Sequence, residues 1–380
     1  MSRWSAIIAA AAVVALSVLG LVMLASTSYY SDEVGGASYF TLRQHLIWLG
    51  VAVGAGGVAM MIDYHWFYRL RWWIFWGTVI VLALCFAPFL GESVNGAARW
   101  VTLKRLGLGF VHLQPSEFAK IGSAIILAGW FAREEPLTRE FLSGFIYPGL
   151  LLGVMVLLIG AEVDLGNAAL VGAVGLGIMF VAGTRLRFLM PIFIVGAAGF
   201  AAVVKTMPNR VERIMAFLDL EKYKDGLGLQ QWRSMLAFGS GGWQGVGLGN
   251  GRQKMLYLPE AHTDFIFPMV GEELGLWGGT LVIVLFAALI VAGLAIAQRA
   301  PDRFGRLLAF GIVLMLGLEA LMNMGVATAL LPNKGLPLPF VSYGGSSLIA
   351  AMLGIGILFN IHHQSPALGR NSCRGPAMAL

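Results

Sequence analysis

Long apolar runs separated by short polar breaks fill the chain from one end to the other. A helix needs about 20 mostly apolar residues to cross a hydrocarbon core of roughly 30 Å. Ten windows meet or approach that length: 5–24, 46–62, 72–90, 118–131, 145–160, 165–182, 188–204, 265–296, 307–331 and 346–360. The first, with Arg3 before it and Ala25, Ser26 and Thr27 after it, has the outline of a signal peptide. It is long for such a segment and nine further spans follow, so it is read as a helix of the mature chain.

Composition turns this pattern into a fold class. Of 380 residues 58% are hydrophobic and only 12% charged, with a mean hydropathy of +0.78, too little polar surface to solvate globular domains. The expected fold is an all-α polytopic membrane protein with ten transmembrane helices. It forms one transmembrane domain over 1–363, followed by a Ser-, Gly-, Pro- and Arg-rich tail over 364–380 that reads as disordered.

Charge then orients it. An even span count puts both termini on one side, and Arg3, Arg69, Arg71, Arg133, Arg139, Arg185, Arg187, Arg299, Arg303, Arg306, Arg370 and Arg374 share that side. The opposite short loops hold only Arg43, Arg99, Lys104, Arg105 and Lys334. Both termini are therefore expected in the cytoplasm, and the long connection 205–264 outside. The net charge of +6 is mostly this orientation signal, not a nucleic-acid patch. Cys85 in a span and Cys373 in the tail imply no disulfide framework.

The long connection has its own pattern. PNRVERIMAFLDLEKY sets Val211, Ile214, Met215 and Leu218 at helical spacing, as in an amphipathic helix lying in the headgroup layer. QQWRSMLAFGS repeats the spacing with Trp232, Met235, Leu236 and Gly239. GSGGWQGVGLGNGRQK lacks the GK[ST] ending of a phosphate-binding loop and has Asn250 where a dinucleotide fingerprint needs glycine. It reads either as a tight bend approaching a ligand or as a mobile linker.

The candidate chemistry lies in the polar breaks. YLPEAHTDFIFPMVGEELG places Glu260, His262, Asp264, Glu272 and Glu273 at the mouth of the eighth span, just after Lys254. Thr263 or Asp264 caps that helix, or Asp264 serves as a proton acceptor half removed from water; the roles are compatible. Pro268 fits only a first helical turn, so the helix should begin after Asp264, with Glu272 and Glu273 about 12 Å further in at roughly 1.5 Å per residue. In the connection 91–120, Arg99, Trp100, Lys104 and Arg105 suit a membrane interface, whereas Glu117 and Lys120 are spaced to neutralise each other. AEVDLGN contributes Glu162 and Asp164, and LLPNKGLPLPFVSYGGSS contributes Lys334, Ser342 and Tyr343. Glu319 and Asn323 fall within the ninth span, where a carboxylate is either functional or part of a buried ion pair. Most of this polarity gathers at the external interface, which suits an enzyme acting on a lipid head group better than a transporter with a midplane site. No His, Cys and carboxylate spacing marks a protein metal cage.

Several of these segments in register, YLPEAHTDFIF with GEELG, KGLPLPFVSYGGSS, NGAARW and QPSEFAK, resemble the SEDS family (shape, elongation, division and sporulation) of bacterial polytopic glycosyltransferases. The likeness runs from the first span to His363, and Lys334-Gly335 before LPLPF is similar to the division branch, where elongation members tend to carry Thr-Gly. The chain departs at Val163 (usually proline), Asn167 (usually small) and Pro268 (usually alanine). The resemblance implies polymerisation of lipid II into glycan strands at the outer face of the bacterial cytoplasmic membrane, at the division septum, with undecaprenyl diphosphate leaving. It makes Asp264 the general base and draws substrate contacts from Arg99, Trp100, Lys120, Arg210, Arg213, Lys254, Glu260, His262, Lys334, Ser342 and Tyr343. Glu117, Asp164, Glu272, Glu273, Glu319 and Asn323 are the structural or intramembrane set. The resemblance fixes no cofactor and leaves room for a Mg²⁺ or Mn²⁺ travelling with the substrate diphosphate. The expected partners are a class B penicillin-binding transpeptidase, FtsI-like, and other divisome proteins, with no nucleic acid. A lipid II flippase and an elongation-type polymerase are the alternatives.

Overall fold

The computed structural model describes residues 2–34, 39–87, 91–94, 97–103, 108–132, 140–191, 194, 196, 198–199, 208–255 and 262–365. Its helices are α1 Ser2–Val34, α2 Phe40–Met61, α3 His65–Arg69, α4 Arg71–Leu84, α5 Pro115–Phe131, α6 Tyr147–Ala161, α7 Leu165–Ala182, α8 Pro208–Leu218, α9 Leu229–Gly241, α10 Ile266–Gln298, α11 Arg303–Ala327 and α12 Gly345–His363. Among the described residues seven segments are long and apolar enough to cross a membrane, within α1, α2, the stretch Leu142–Ala161, α7, α10, α11 and α12. The chain is a multi-pass helical membrane protein. Of the three other expected spans, α4 is shorter at 14 residues and α5 has 17, while 188–204 lies largely outside the described residues, as does most of the tail 364–380.

The expected all-helical reading misses one element. The connection after α4 folds into a three-stranded antiparallel sheet, β1 Gly91–Val94, β2 Ala97–Leu103 and β3 Leu108–Leu113, in which Gly91 faces Val101 and Val101 faces Leu113. Only Asn95 and Gly96 separate β1 from β2, the strongest short hairpin signal.

At the centre stands α5, buried along nearly its whole length against α4, α7 and α11. Before α6 a π-helical turn, Leu142–Ile146, leads into Pro148, whose missing N–H leaves the Gly144 carbonyl without its usual donor; the Thr184 hydroxyl takes its place at 2.9 Å.

The two amphipathic stretches behave differently. On α8 the face made by Val211, Ile214, Met215 and Leu218 points away from the protein, as an interfacial helix requires. On α9 Met235, Leu236 and Gly239 of the expected outward face are exposed too, but Gln231, Ser234, Ala237 and Gly241 pack inward. Gln231 donates to the carbonyls of Val326 (3.1 Å) and Leu331 (2.7 Å), and Ser234 to that of Ala327. These reach carbonyls of the last turn of α11 and, at Leu331, of the loop just beyond it, where a helix end leaves acceptors without intrahelical donors.

The glycine-rich loop is no mobile linker. α10 is broken at Gly275 (φ 67°, ψ −161°), and the loop repairs the break. Val246 and Gly247 donate to the carbonyls of Glu272 and Glu273 at 3.0 and 3.1 Å, while Leu276 donates to Gly242 at 2.9 Å. A Cβ on Gly275 would fall 2.6 Å from the Trp243 carbonyl oxygen, in a backbone conformation that side chains rarely adopt. Gly275→Ala is therefore expected to cost about 1–3 kcal/mol and to lower the thermal unfolding midpoint of the protein in nanodiscs. An unchanged midpoint would show that the loop and helix are not locked together.

Candidate active site

Two carboxylates beside the break complete the clasp. Glu272 accepts from the backbone N–H groups of Arg252 (2.9 Å) and Gln253 (3.2 Å), and Glu273 from that of Gly249 (3.0 Å). Lys254 Nζ lies 2.7 Å from Glu273 and donates at the same distance to Ser26 Oγ, which donates to Glu273 at 2.6 Å. Glu272, Glu273 and Lys254 are buried. Lys254, expected among the substrate cations, is thus neutralised inside the protein and ties the loop to α1.

Lys120 is likewise taken. It lies 2.7 Å from both Glu117, three residues earlier on α5, and Glu319 on α11, and all three are buried. The arrangement is the buried ion pair that competed with a functional reading of Glu319, extended to a triad. Above it Asn167 reaches Glu117 (3.4 Å), Ser116 (3.2 Å) and Asp164 (2.9 Å), and Gln114 donates to Asp164 at 3.1 Å. Asp164 is the N-cap of α7. Arg99, on β2, donates to the Val163 carbonyl at 2.8 Å; Val163 has φ 66°, a value a proline ring cannot take. Trp100 follows Arg99 on the strand and is half-buried.

Asp264 lies where the sequence places it. The turn 262–265 precedes α10, which begins at Ile266 with Phe265 as N-cap, so neither Thr263 nor Asp264 occupies the capping position. Pro268 stands in the first turn. The turn rests on the loop between α11 and α12. The His262 carbonyl accepts from Tyr343 N–H at 2.9 Å, the Thr263 carbonyl from Ser342 Oγ at 2.5 Å, and the Asp264 carbonyl from Asn323 Nδ2 at 2.9 Å. The half-buried Asp264 carboxylate sits over Gly335, where any Cβ would overlap its Oδ2. Lys334 is the next residue back along the chain and is half-buried. Tyr343 meets His262 edge-on and His45 at a tilt, at 6.0 and 5.9 Å between ring centres, and donates to Gln44 at 2.6 Å.

Of the remaining candidates, α8 carries Arg210 and the exposed Arg213, and Glu260, Lys104 and Arg105 lie outside the described residues. Asn323, Ser342 and Tyr343 stand out in the sequence, but their spacing does not reveal that they grip consecutive carbonyls. Gly335 as the floor beneath Asp264, and Ser26 and Gln44 as partners, are not among the residues the sequence singles out. A hydroxyl or amide inside an apolar span is the only signal those last two offer.

The fold and site define a polytopic membrane protein whose conspicuous carboxylate stands at the mouth of a broken helix. The model of the FtsW, RodA and SpoVE family, described as "Cell cycle protein", matches residues 7–367, and the chain belongs to that family. It is 41% identical over 350 residues to a probable peptidoglycan glycosyltransferase FtsW of Geobacter sp. strain M18, covering 92% of this chain and 94% of that one. A protein of the same description from Methylococcus capsulatus is 40% identical, covering 93% and 88%. Among solved structures, one from a study of how a peptidoglycan synthase complex coordinates polymerization and crosslinking superposes with a TM-score of 0.77, at 29% identity over 93% of this chain and 96% of that one. The rod shape determining protein RodA of Thermus thermophilus superposes with a TM-score of 0.70, at 27% identity over 94% and 96%.

Two outcomes test the polar groups around the site. Lys120→Met strands two buried carboxylates and is expected to cost about 3–5 kcal/mol, whereas Glu319→Gln leaves Lys120 paired with Glu117 and costs about 1–3 kcal/mol. Equal losses in thermal unfolding would argue against a triad centred on Lys120. Burial pushes the Glu162 carboxyl, in the turn between α6 and α7, up to about 8; Asp164 adds to the shift while the Cys85 thiol and the Arg99 guanidinium oppose it. A carboxyl raised on folding binds more protons folded than unfolded, so its contribution to stability falls as pH rises from about 4.5 to about 8. Glu162→Gln is expected to flatten that decline, read from unfolding midpoints between pH 5 and pH 9. An identical slope in the variant would assign the decline to other groups.

Proposed function

We propose that this chain is a peptidoglycan glycosyltransferase that joins lipid II units into glycan strands, with Asp264 as general base. The observation that carries the reading is a half-buried carboxylate whose backbone is held at three consecutive carbonyls, at the mouth of a broken helix, in a chain of this family. A base works only within hydrogen-bond reach of the proton it removes, and a backbone fixed this firmly keeps that reach constant.

In the reaction the 4-hydroxyl of one sugar attacks the anomeric carbon of the growing strand. A carbon–oxygen bond forms there, the bond to the lipid diphosphate breaks with its electron pair on the diphosphate oxygen, and the hydroxyl proton passes to Asp264. The negative charge growing on the diphosphate needs fixed positive partners in a water-poor site. Lys120 and Lys254 are committed to buried carboxylates, which leaves Arg99, Arg210, Arg213 and Lys334 of the basic candidates for this role. Trp100 and Tyr343 offer flat surfaces to sugar or prenyl chain. Among the described residues no group of three His, Cys, Asp or Glu side chains could hold a metal ion. A Mg²⁺ or Mn²⁺ held mainly by the substrate diphosphate fits this reading.

The Lys and Arg distribution supports both termini in the cytoplasm and the site at the outer face of the cytoplasmic membrane. The division-type relatives support work at the septum. The synthase-complex neighbour supports a class B penicillin-binding transpeptidase as partner, supplying the cross-links.

The test is polymerisation of labelled lipid II by the purified protein with its transpeptidase. Asp264→Asn keeps shape and is expected to lower the rate by about 100- to 10,000-fold while the protein stays folded in the membrane. A full glycan ladder from this variant would remove Asp264 from the chemistry. Lipid II crossing vesicles without polymer from wild type would instead favour the flippase.

A further inference from the structure

We infer that Asn323, together with Ser342, is a positioning residue that sets where the Asp264 carboxylate stands; this rests on the reading of Asp264 as the base. Asn323 is buried on α11, one turn beyond Glu319, so the Lys120 triad that fixes the register of α11 also fixes its height. Its amide nitrogen carries two hydrogens, and both are used on backbone carbonyls from different loops: Asp264 at 2.9 Å and Leu336 at 2.7 Å. The amide therefore braces the turn before α10 against the loop containing Gly335, the two surfaces between which the carboxylate lies. Turning the amide over would set its oxygen against both carbonyls, so the orientation is determined.

Ser342 makes the second brace. Its hydroxyl donates to the Thr263 carbonyl at 2.5 Å and accepts from Leu338 N–H at 2.8 Å. Tyr343 N–H adds a third grip on the His262 carbonyl. Three successive carbonyls are thus fixed from the 323–343 side, and the side chain that follows from this backbone rests on a glycine that leaves it just enough room.

One detail separates positioning from simple packing. Asn323 Oδ1 is buried with no hydrogen-bond partner among the described residues, which costs free energy that an apolar side chain of similar size would not incur. If filling space were the only requirement, leucine would serve at least as well. What leucine lacks is the pair of donors.

The experiment compares wild type, Asp264→Asn, Asn323→Leu, Ser342→Ala and Ser342→Thr in nanodiscs with the transpeptidase partner. It measures kcat and KM for lipid II polymerisation and thermal unfolding. Asn323→Leu is expected to lower kcat roughly 100-fold, as a displacement of about 1 Å can, with KM within about twofold; because it strands the Asp264 and Leu336 carbonyls, the unfolding midpoint falls modestly. Ser342→Ala should move kcat the same way, and Ser342→Thr, which keeps the hydroxyl, should recover most of it. An active Asn323→Leu beside an inactive Asp264→Asn would overturn this inference and leave the reading of Asp264 standing. So would a loss in which KM and stability deteriorate together, or a Ser342→Thr no better than Ser342→Ala. Absence of polymer from wild type would overturn both.

Discussion

A membrane-crossing helix that breaks partway must find partners for the backbone groups it releases, because hydrocarbon offers none. α10 breaks at Gly275, and much of the site follows from how that need is met. The partners come from the glycine-rich loop, which exchanges hydrogen bonds with both sides of the break like a short stretch of sheet. The loop must pass close to the helix backbone, which is why Gly245 and Gly275 face each other without side chains. Glu272 and Glu273 then hold the loop by its N–H groups, and Lys254 balances Glu273. The short first half of α10 is left as a rigid peg with Asp264 at its tip.

A second system approaches the peg from the other side. From Asp164 through Asn167, Glu117, Lys120 and Glu319 to Asn323, buried polar groups on α7, α5 and α11 run in a nearly continuous line. Each charge in the triad is costly alone and tolerable only because the others are in place. Such a line resists sliding of α11 against α5, since any shift would part oppositely charged groups in a medium that cannot screen them. The end of α11 and the loop after it therefore inherit a fixed position, and the turn bearing Asp264 inherits it from them.

The sequence made the broad plan legible because membrane helices announce themselves by length and apolarity, and because carboxylates within apolar stretches are rare enough to stand out. Asp264, the Glu117–Lys120 pair and the start of α10 were all readable on those grounds. Partnership was not. Lys254 is close to Asp264 in the chain and reads as a cation available to substrate, yet its partner Glu273 lies 19 residues on and its other contact, Ser26, 228 residues back. The buried face of α9 was missed because it is made of small and polar residues that cap another helix, a need invisible in α9 itself. The sheet after α4 was hidden by expecting helix or loop beside a membrane, although Asn95 and Gly96 signal its first hairpin.

The outward apolar face of α8 gives the site a setting that the chain does not determine by itself. Among the described residues Val211, Ile214, Met215 and Leu218 are left exposed, and an amphipathic helix with such a face takes its depth from the lipid around it. Asp264, in contrast, is referred to the bundle. The separation between the basic residues of α8 and the carboxylate is then partly a property of the bilayer, and lipid thickness becomes a variable of the enzyme.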